Sequence, residues 1–292
     1  MAKPRPRAVS FLTYLPQAAL LGIARALPPR ARLAFASAFA RALIGVLPKM
    51  RGRVESNLKL IFPEMSPAER LRIRSGMADS FGRTMIEVMT RAEFQRRADW
   101  TGPEGPGWEA LLAARAAGKG ALLVSGHFGQ WEAVRGALLA NGIECGAMIR
   151  PVKNPYLNRD YLACVEAGGR PVIGRDGASL RELVRHVRDG GVMAILLDQY
   201  TKRGAEIDFL GHPAPSGTMI ADLARKFDLP MIPVYGTRQP DGISVHVEFE
   251  APIPPGTAVE MTRGAADSLA ARVRANPEQY FWLHRRWVKF PG

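Results

Sequence analysis

Cysteine is scarce: Cys145 and Cys164 are the only two in 292 residues, and their separation has no metal or redox spacing. A disulfide scaffold is excluded, and a reducing compartment fits. No stretch of about 18 apolar residues runs without a charge or a proline, which excludes a polytopic membrane protein. There is no internal repeat and no low-complexity segment. With 47% hydrophobic and 23% charged residues, the chain is neither disordered, collagenous nor a coiled coil. Its length suits one large domain or two small ones.

Negative charge is missing altogether before Glu55. The same stretch holds ten basic residues, and the rest of the chain carries 30 basic against 27 acidic. The net charge of +13 therefore belongs mostly to a basic, apolar front end on a nearly neutral body. Nucleic acid and an anionic membrane surface both attract such charge. The abundance of Leu, Ala, Phe and Ile favours the membrane.

Residues 11–24 and 31–47 form two apolar runs. Pro16 interrupts the first, Arg25 ends it, Pro28 and Pro29 separate the two, and Arg32 and Arg41 lie inside the second. Neither spans ~30 Å of hydrocarbon comfortably, and no clear cleavage site makes the first a secretory signal. Three arrangements fit: two helices lying in the interface with arginines reaching phosphates, one tilted span beginning near Phe11, and a pair of ordinary core helices. Residues 1–50 are accordingly expected to form a membrane-associating helical segment ahead of a catalytic domain over 51–292.

Residues 51–95 read as helical, with Ser66-Pro67-Ala68-Glu69 as a capping box. A turn-rich patch covers Gly102 to Gly107. From Trp108 onward, helices alternate with short apolar strands at 121–124, 145–150, 171–173 and 192–197. Later strands are expected at 206–210, 231–237 and 243–250, with helices at 217–228 and over 265–275. Continuous apolar strands suit the interior of a parallel sheet. The pattern predicts an α/β fold: a mixed central sheet flanked by helices.

The informative stretch is Val124-Ser125-Gly126-His127-Phe128-Gly129-Gln130-Trp131-Glu132. A strand ends, glycines flank a histidine, and a helix begins. Ligands bind at the carboxyl ends of such strands. A helix start supplies N–H groups for an oxyanion or a phosphate. His127 and Glu132 are five residues apart, about 500° on an ideal helix, so they meet only if His127 sits on the turn before it. Glu132 would then orient the imidazole, and His127 would act as a general base. A turn histidine beside a glutamate that merely favours the helix dipole fits the same spacing. No HExxH spacing supports a metal site, and no G-x-S-x-G elbow supports Ser125 as nucleophile. His186 and His246 lie on regular elements and read as structural. Lys202 and Arg203 are candidates for touching a polyanionic substrate. The run His284-Arg285-Arg286-Trp287-Val288-Lys289 fits either a contact with lipid phosphates or an acidic carrier protein, or a solvated tail.

Ser-Gly-His-Phe-Gly-Gln-Trp-Glu resembles the H-x4-D/E motif of glycerolipid acyltransferases. More narrowly it resembles the lipid A biosynthesis lauroyl/myristoyl acyltransferase family, with Gln130 where Asn is usual. Four more segments match in order: Asn57–Glu64, Ile149–Pro155, Leu197–Gln199 and Pro277–Trp287. The resemblance implies a glycerolipid acyltransferase-like fold and a His127–Glu132 catalytic pair. It also implies functional roles for Arg150 and Asp198, each expected at a strand end as His127 is. Gly129 and its neighbouring amides, with Arg150, are the expected oxyanion donors. The implied reaction moves an acyl chain from an acyl thioester, expected on acyl carrier protein, to a hydroxyl of a lipid A precursor. No metal, diffusible cofactor or nucleic acid is called for. The expected location is the cytoplasmic face of an inner membrane, peripheral or with one N-terminal span. Two rivals stand beside this reading. One is an acyltransferase acting on a lysophospholipid, ornithine lipid or glycolipid. The other is a membrane-surface binding protein without catalysis.

Overall fold

Strand β2 (Ala121–Ser125) is apolar at all but its last position because both of its faces are covered. Ala121 and Leu123 pack into one hydrophobic cluster, and Leu122 and Val124 into another on the opposite face. That alternation is the period-two geometry of a strand. The structure is a computed structural model that describes residues 6–90, 94, 100–174 and 177–287. In it β2 lies between β5 (Val192–Leu196) and β8 (Met231–Arg238), parallel to both. Beyond β5 come β3 (Cys145–Met148) and β4 (Val172–Ile173), also parallel. Beyond β8, β9 (Val245–Phe249) turns antiparallel, and β1 (Trp100–Glu104) runs parallel to β9 at the edge. The seven-stranded order is β1-β9-β8-β2-β5-β3-β4, the mixed central sheet expected from the sequence.

Helices α5 (Pro106–Ala116) and α6 (Trp131–Ala140) cover the Ala121–Leu123 face. Helices α8 (Gly177–Arg188), α9 (Met219–Phe227) and α10 (Ala258–Ala275) cover the other. Helix α7 (Pro155–Glu166) follows β3, and a two-stranded antiparallel sheet joins β6 (Ala205–Phe209) to β7 (His212–Ser216). Two strands differ from expectation. The Gly102–Gly107 patch contributes part of β1, and β7 had no counterpart in the sequence pattern.

The first third of the chain is helical: α1 (Arg7–Ala26), α2 (Pro29–Val46), α3 (Pro48–Ile61) and α4 (Pro67–Met89). Ser66 and Glu69 form the expected capping box at the start of α4. Helix α2 lies against α4 so closely that a Cβ on Gly82 would stand 2.4 Å from the Ala36 carbonyl oxygen. Ile44 of α2 shares a core cluster with Val54, Leu58 and Ile73. Arg32, expected among the arginines reaching phosphates, is buried. It donates to the carbonyls of Ala24, Arg25 and Leu27 at 3.0, 3.2 and 2.9 Å. The carbonyl acceptors left without donors at the end of α1 draw that guanidinium inward. Among the described residues no single helix is long and apolar enough to cross a membrane. One pair passes together, Pro29–Val46 with Pro48–Ile61, bent by 85°.

Candidate active site

His127 stands on the turn between β2 and α6, and every contact around it fixes that turn. Its backbone N–H donates to Asp198 Oδ2 at 2.9 Å, and its carbonyl accepts from Phe281 N–H at 2.9 Å. Phe128 is fully buried against the edge of the Tyr235 ring. Gly129 has φ +54, and a Cβ there would meet the Gly236 carbonyl at 2.2 Å, so only glycine fits. Its carbonyl accepts from Thr84 Oγ1 at 3.0 Å. Gln130 caps α6 by accepting from Glu132 N–H at 2.9 Å. Its amide reaches Glu87 at 2.7 Å, and Glu87 is paired with buried Arg238.

The family resemblance pairs Glu132 with His127; in the structure Asp198 holds the orienting place. His127 Nδ1 lies 2.7 Å from Asp198 Oδ1. Asp198 ends the apolar run of β5, and β5 pairs with β2, so the two strand ends deliver the side chains side by side. The Asp198 side chain is fully buried. Burial opposes its charge, yet the imidazoles of His127 and His284 and the hydrogen bonds from His127 hold it well below the usual carboxylate range. An ionised carboxylate can only accept, so Nδ1 carries the ring hydrogen and Nε2 is left as the basic nitrogen. Glu132 instead pairs with Arg135 at 2.9 Å, one turn along α6. Arg135 is buried and also donates to the carbonyls of Cys145, Val165 and Gly169.

The expected oxyanion donors change as well. The amides of Phe128, Gly129 and Gln130 donate to the carbonyls of Gly126, Gln279 and Gly236 at 2.8, 2.9 and 2.7 Å. Gly129 therefore shapes the turn and has no free N–H to offer. Arg150, exposed after β3, lines the same cleft as His127 and remains a cationic candidate.

The cleft has a volume of about 540 Å³, within the range of small-molecule sites. Its walls are largely apolar. Phe81 and Met85 come from α4, Trp131 from α6, and Ala147 and Ala194 from β3 and β5, where they are register partners. Glu132 and Arg135 also line it, as does Tyr161, whose hydroxyl is pushed up to about 12 by burial and by the Glu132 charge.

The C-terminal run is not a solvated tail. His284 packs edge-on to the His127 ring at 4.4 Å, and its Nε2 lies 4.0 Å from Asp198 Oδ2. Burial first, and the charges of His127, Arg286 and Arg150 after it, lower its pKa to about 4 against the pull of Asp198. Arg286 and Trp287 are buried, whereas Val288 and Lys289 lie outside the described residues. Asn57 ties this run to the Asn57–Glu64 segment, donating to the carbonyls of Trp282 and His284 at 2.7 and 3.0 Å. His127, Asp198 and His284 place three atoms able to ligate a cation within 4.8 Å of one another. The 2.7 Å Nδ1–Oδ1 separation is that of a shared hydrogen, as in an acid–base pair. His186 bonds the Val192 carbonyl and His246 bonds Thr101, both outside the cleft.

Comparison with known proteins follows the same lines. Residues 4–289 match the family model of bacterial lipid A biosynthesis acyltransferases. A lipid A biosynthesis lauroyltransferase of Escherichia coli strain K12 is 30% identical over 251 residues, 82% of this chain and 79% of its own. A lipid A biosynthesis acyltransferase of Haemophilus influenzae is 25% identical over 255 residues, 80% and 74% respectively. A phosphatidylinositol mannoside acyltransferase of Mycolicibacterium smegmatis is 24% identical over 182 residues, 61% of this chain and 60% of its own.

Proposed function

Because the chain belongs to the bacterial lipid A biosynthesis acyltransferase family, we propose that it acylates a hydroxyl of a lipid A precursor from acyl carrier protein. The step is a late, secondary acylation at the cytoplasmic face of the inner membrane. The observation that carries the reading is the Asp198–His127 pair at the rim of an apolar cleft. Asp198 fixes the tautomer, and His127 takes the proton as the acceptor oxygen attacks the thioester carbonyl. Such a base contributes ~10²–10⁴ in rate. The carbonyl carbon becomes tetrahedral, Arg150 steadies the oxyanion, and the thiolate of the carrier leaves. The acyl chain lies in the cleft across Ala147 and Ala194, where small side chains leave room. The carrier is acidic, which suits a basic surface.

The test is turnover of acyl carrier protein thioesters of graded chain length on a lipid A precursor, with products weighed by mass spectrometry. A gain of one acyl chain on the precursor is the expected result. Acylation of a phosphatidylinositol mannoside and not of the precursor would keep the chemistry and replace the acceptor. Thioester turnover on no acceptor would overturn the enzyme. In the same assay Ala194→Leu should shift preference to donors shorter by two or more carbons. An unchanged length profile would place the chain elsewhere.

Membrane docking falls to the front end. Leu12, Leu15 and Ile23 lie exposed on one face of α1, and Phe39, Leu43 and Val46 on one face of α2. Exposed arginines at positions 30, 41 and 51 and Lys49 flank them. These stripes enter the headgroup boundary while the cations meet lipid phosphates. Leu12→Ser, Leu15→Ser and Ile23→Ser together should weaken sedimentation with phosphatidylglycerol vesicles at least about tenfold, since each buried apolar side chain contributes roughly 1.5–3 kcal/mol. Equal sedimentation of variant and parent would remove α1 from the docking face.

A further inference from the structure

Asp198 borders a second void, far smaller than the cleft. Its volume is about 20 Å³, and its polar walls are Ser125, Asp198, Ser216, Arg286 and Thr262, the last already donating to the Ala258 carbonyl. That space is large enough for one water, which needs two to four polar partners. Partners are waiting. Ser125 Oγ and Arg286 Nε are both buried without a hydrogen-bond partner. The other Arg286 nitrogens are engaged: Nη1 donates to the carbonyls of Gln199 and Pro215 at 3.3 and 3.1 Å, and Nη2 to Ser216 Oγ at 2.6 Å.

The charges make the same demand. Arg286 is a buried cation, and among the described residues no ion pair is formed by it. Asp198 is a buried anion held by the His127 imidazole and backbone amide, with the Tyr280 hydroxyl also beside it and no cation in direct contact. Buried charges are costly unless paired. A cation and an anion facing one water-sized gap satisfy each other through a water at little cost.

We propose that this void holds one ordered water joining Arg286 Nε and Ser125 Oγ to the Asp198 carboxylate, which makes Arg286 a positioning residue of the His127–Asp198 pair. The hydrogen count closes. The Arg286 Nε–H donates to the water, and the water donates to Asp198. Each Asp198 oxygen already accepts one hydrogen from His127 and has a lone pair left. The Ser125 hydroxyl supplies the third partner. The C-terminal segment thereby supports the catalytic pair from behind, which is the work that the His284–Trp287 run does in this fold. The inference rests on His127 being the base, and its crystallographic arm is independent of activity.

The groups facing the pair are Tyr280, His284 and Arg286 from the C-terminal segment, and Arg150 after β3. Glu132 and Arg135 of α6 stand in the cleft wall. The experiment is the pH profile of kcat/KM with an acyl carrier protein thioester for the parent, Arg286→Met, Arg286→Lys and Ser125→Ala. Arg286→Met removes a buried positive charge, so the protonated pair is favoured and the acid limb should move up by about half a unit or more. Its rate near neutrality should fall about tenfold. Arg286→Lys keeps the charge, so its limb should stay with the parent's. Ser125→Ala should cost about threefold and leave the limb in place. A parental limb in Arg286→Met, or one shift shared by both Arg286 variants, would overturn the positioning role. Should Arg286→Met fail to fold, a crystal structure of the parent at better than 2 Å decides. Density for one water between Asp198, Ser125 and Arg286 supports the bridge, and an empty void overturns it. If the water is present but Asp198→Asn remains fully active, the orienting role of Asp198 has failed and the water site has not.

Discussion

Asp198→Asn should lower turnover by about 10³–10⁴-fold and leave the fold intact. The reason lies in the ring of His127. An ionised Asp198 accepts from Nδ1 at 2.7 Å and from the His127 backbone at 2.9 Å, which commits the hydrogen to Nδ1. An asparagine of the same shape presents either an amide donor or a weaker acceptor, and Nε2 ceases to be the basic nitrogen. Glu132→Gln makes the contrast. It leaves the dyad in place but deprives buried Arg135 of its 2.9 Å carboxylate partner. Removing one partner of a buried ion pair costs about 3–5 kcal/mol, so the loss should be one of thermal stability first. Purified variants compared by single-turnover acyl transfer and by thermal melting separate the two. An Asp198→Asn enzyme within tenfold of the parent, or a stable Glu132→Gln enzyme as inactive as His127→Ala, would return the orienting role to Glu132.

That contrast also marks where the sequence was legible. β2 and β5 were readable because strands buried on both faces must be apolar throughout. β1 was not, since Gly102, Pro103 and Gly105 signal turns. β7 was hidden by Pro213 and Pro215. Their separation of two places both missing donors on the strand edge turned away from β6, where Thr201 N–H and Arg286 reach the Pro215 carbonyl. His127 stood out because glycines, a strand end and a helix start surround it. Asp198 was marked by the resemblance but not as the partner of His127, because it is 71 residues away in sequence and becomes a neighbour only when β5 pairs with β2. Arg286 and His284 belong to a segment whose family match was visible. The sequence offers these cations either to phosphates and an acidic carrier or to solvent, and only packing under Asp198 reveals His284 and Arg286 as interior. The amide of Gly129 likewise looked free at a helix start until the Gln279 carbonyl was found against it.

His284 carries the second large effect, on stability against pH. Its folded pKa is lowered to about 4, below the ordinary value near 6.5 for an unfolded chain. Between those values the unfolded chain binds a proton that the folded one refuses. Stability therefore rises with pH across the window and is lost as pH falls from about 6.5 toward 4. The shift corresponds to about 3 kcal/mol. Asp198 acts in another window: its folded pKa is depressed, so its contribution is present above about 4 and fades only below that. His284→Gln cannot charge and should lose this slope. Urea unfolding at pH 7 and pH 4.5 should show the parent falling by about 2–3 kcal/mol more than the variant. Parallel loss in both proteins would mean that the buried imidazole accepts its proton without cost, and that burial beside His127 and Arg150 does not hold His284 neutral.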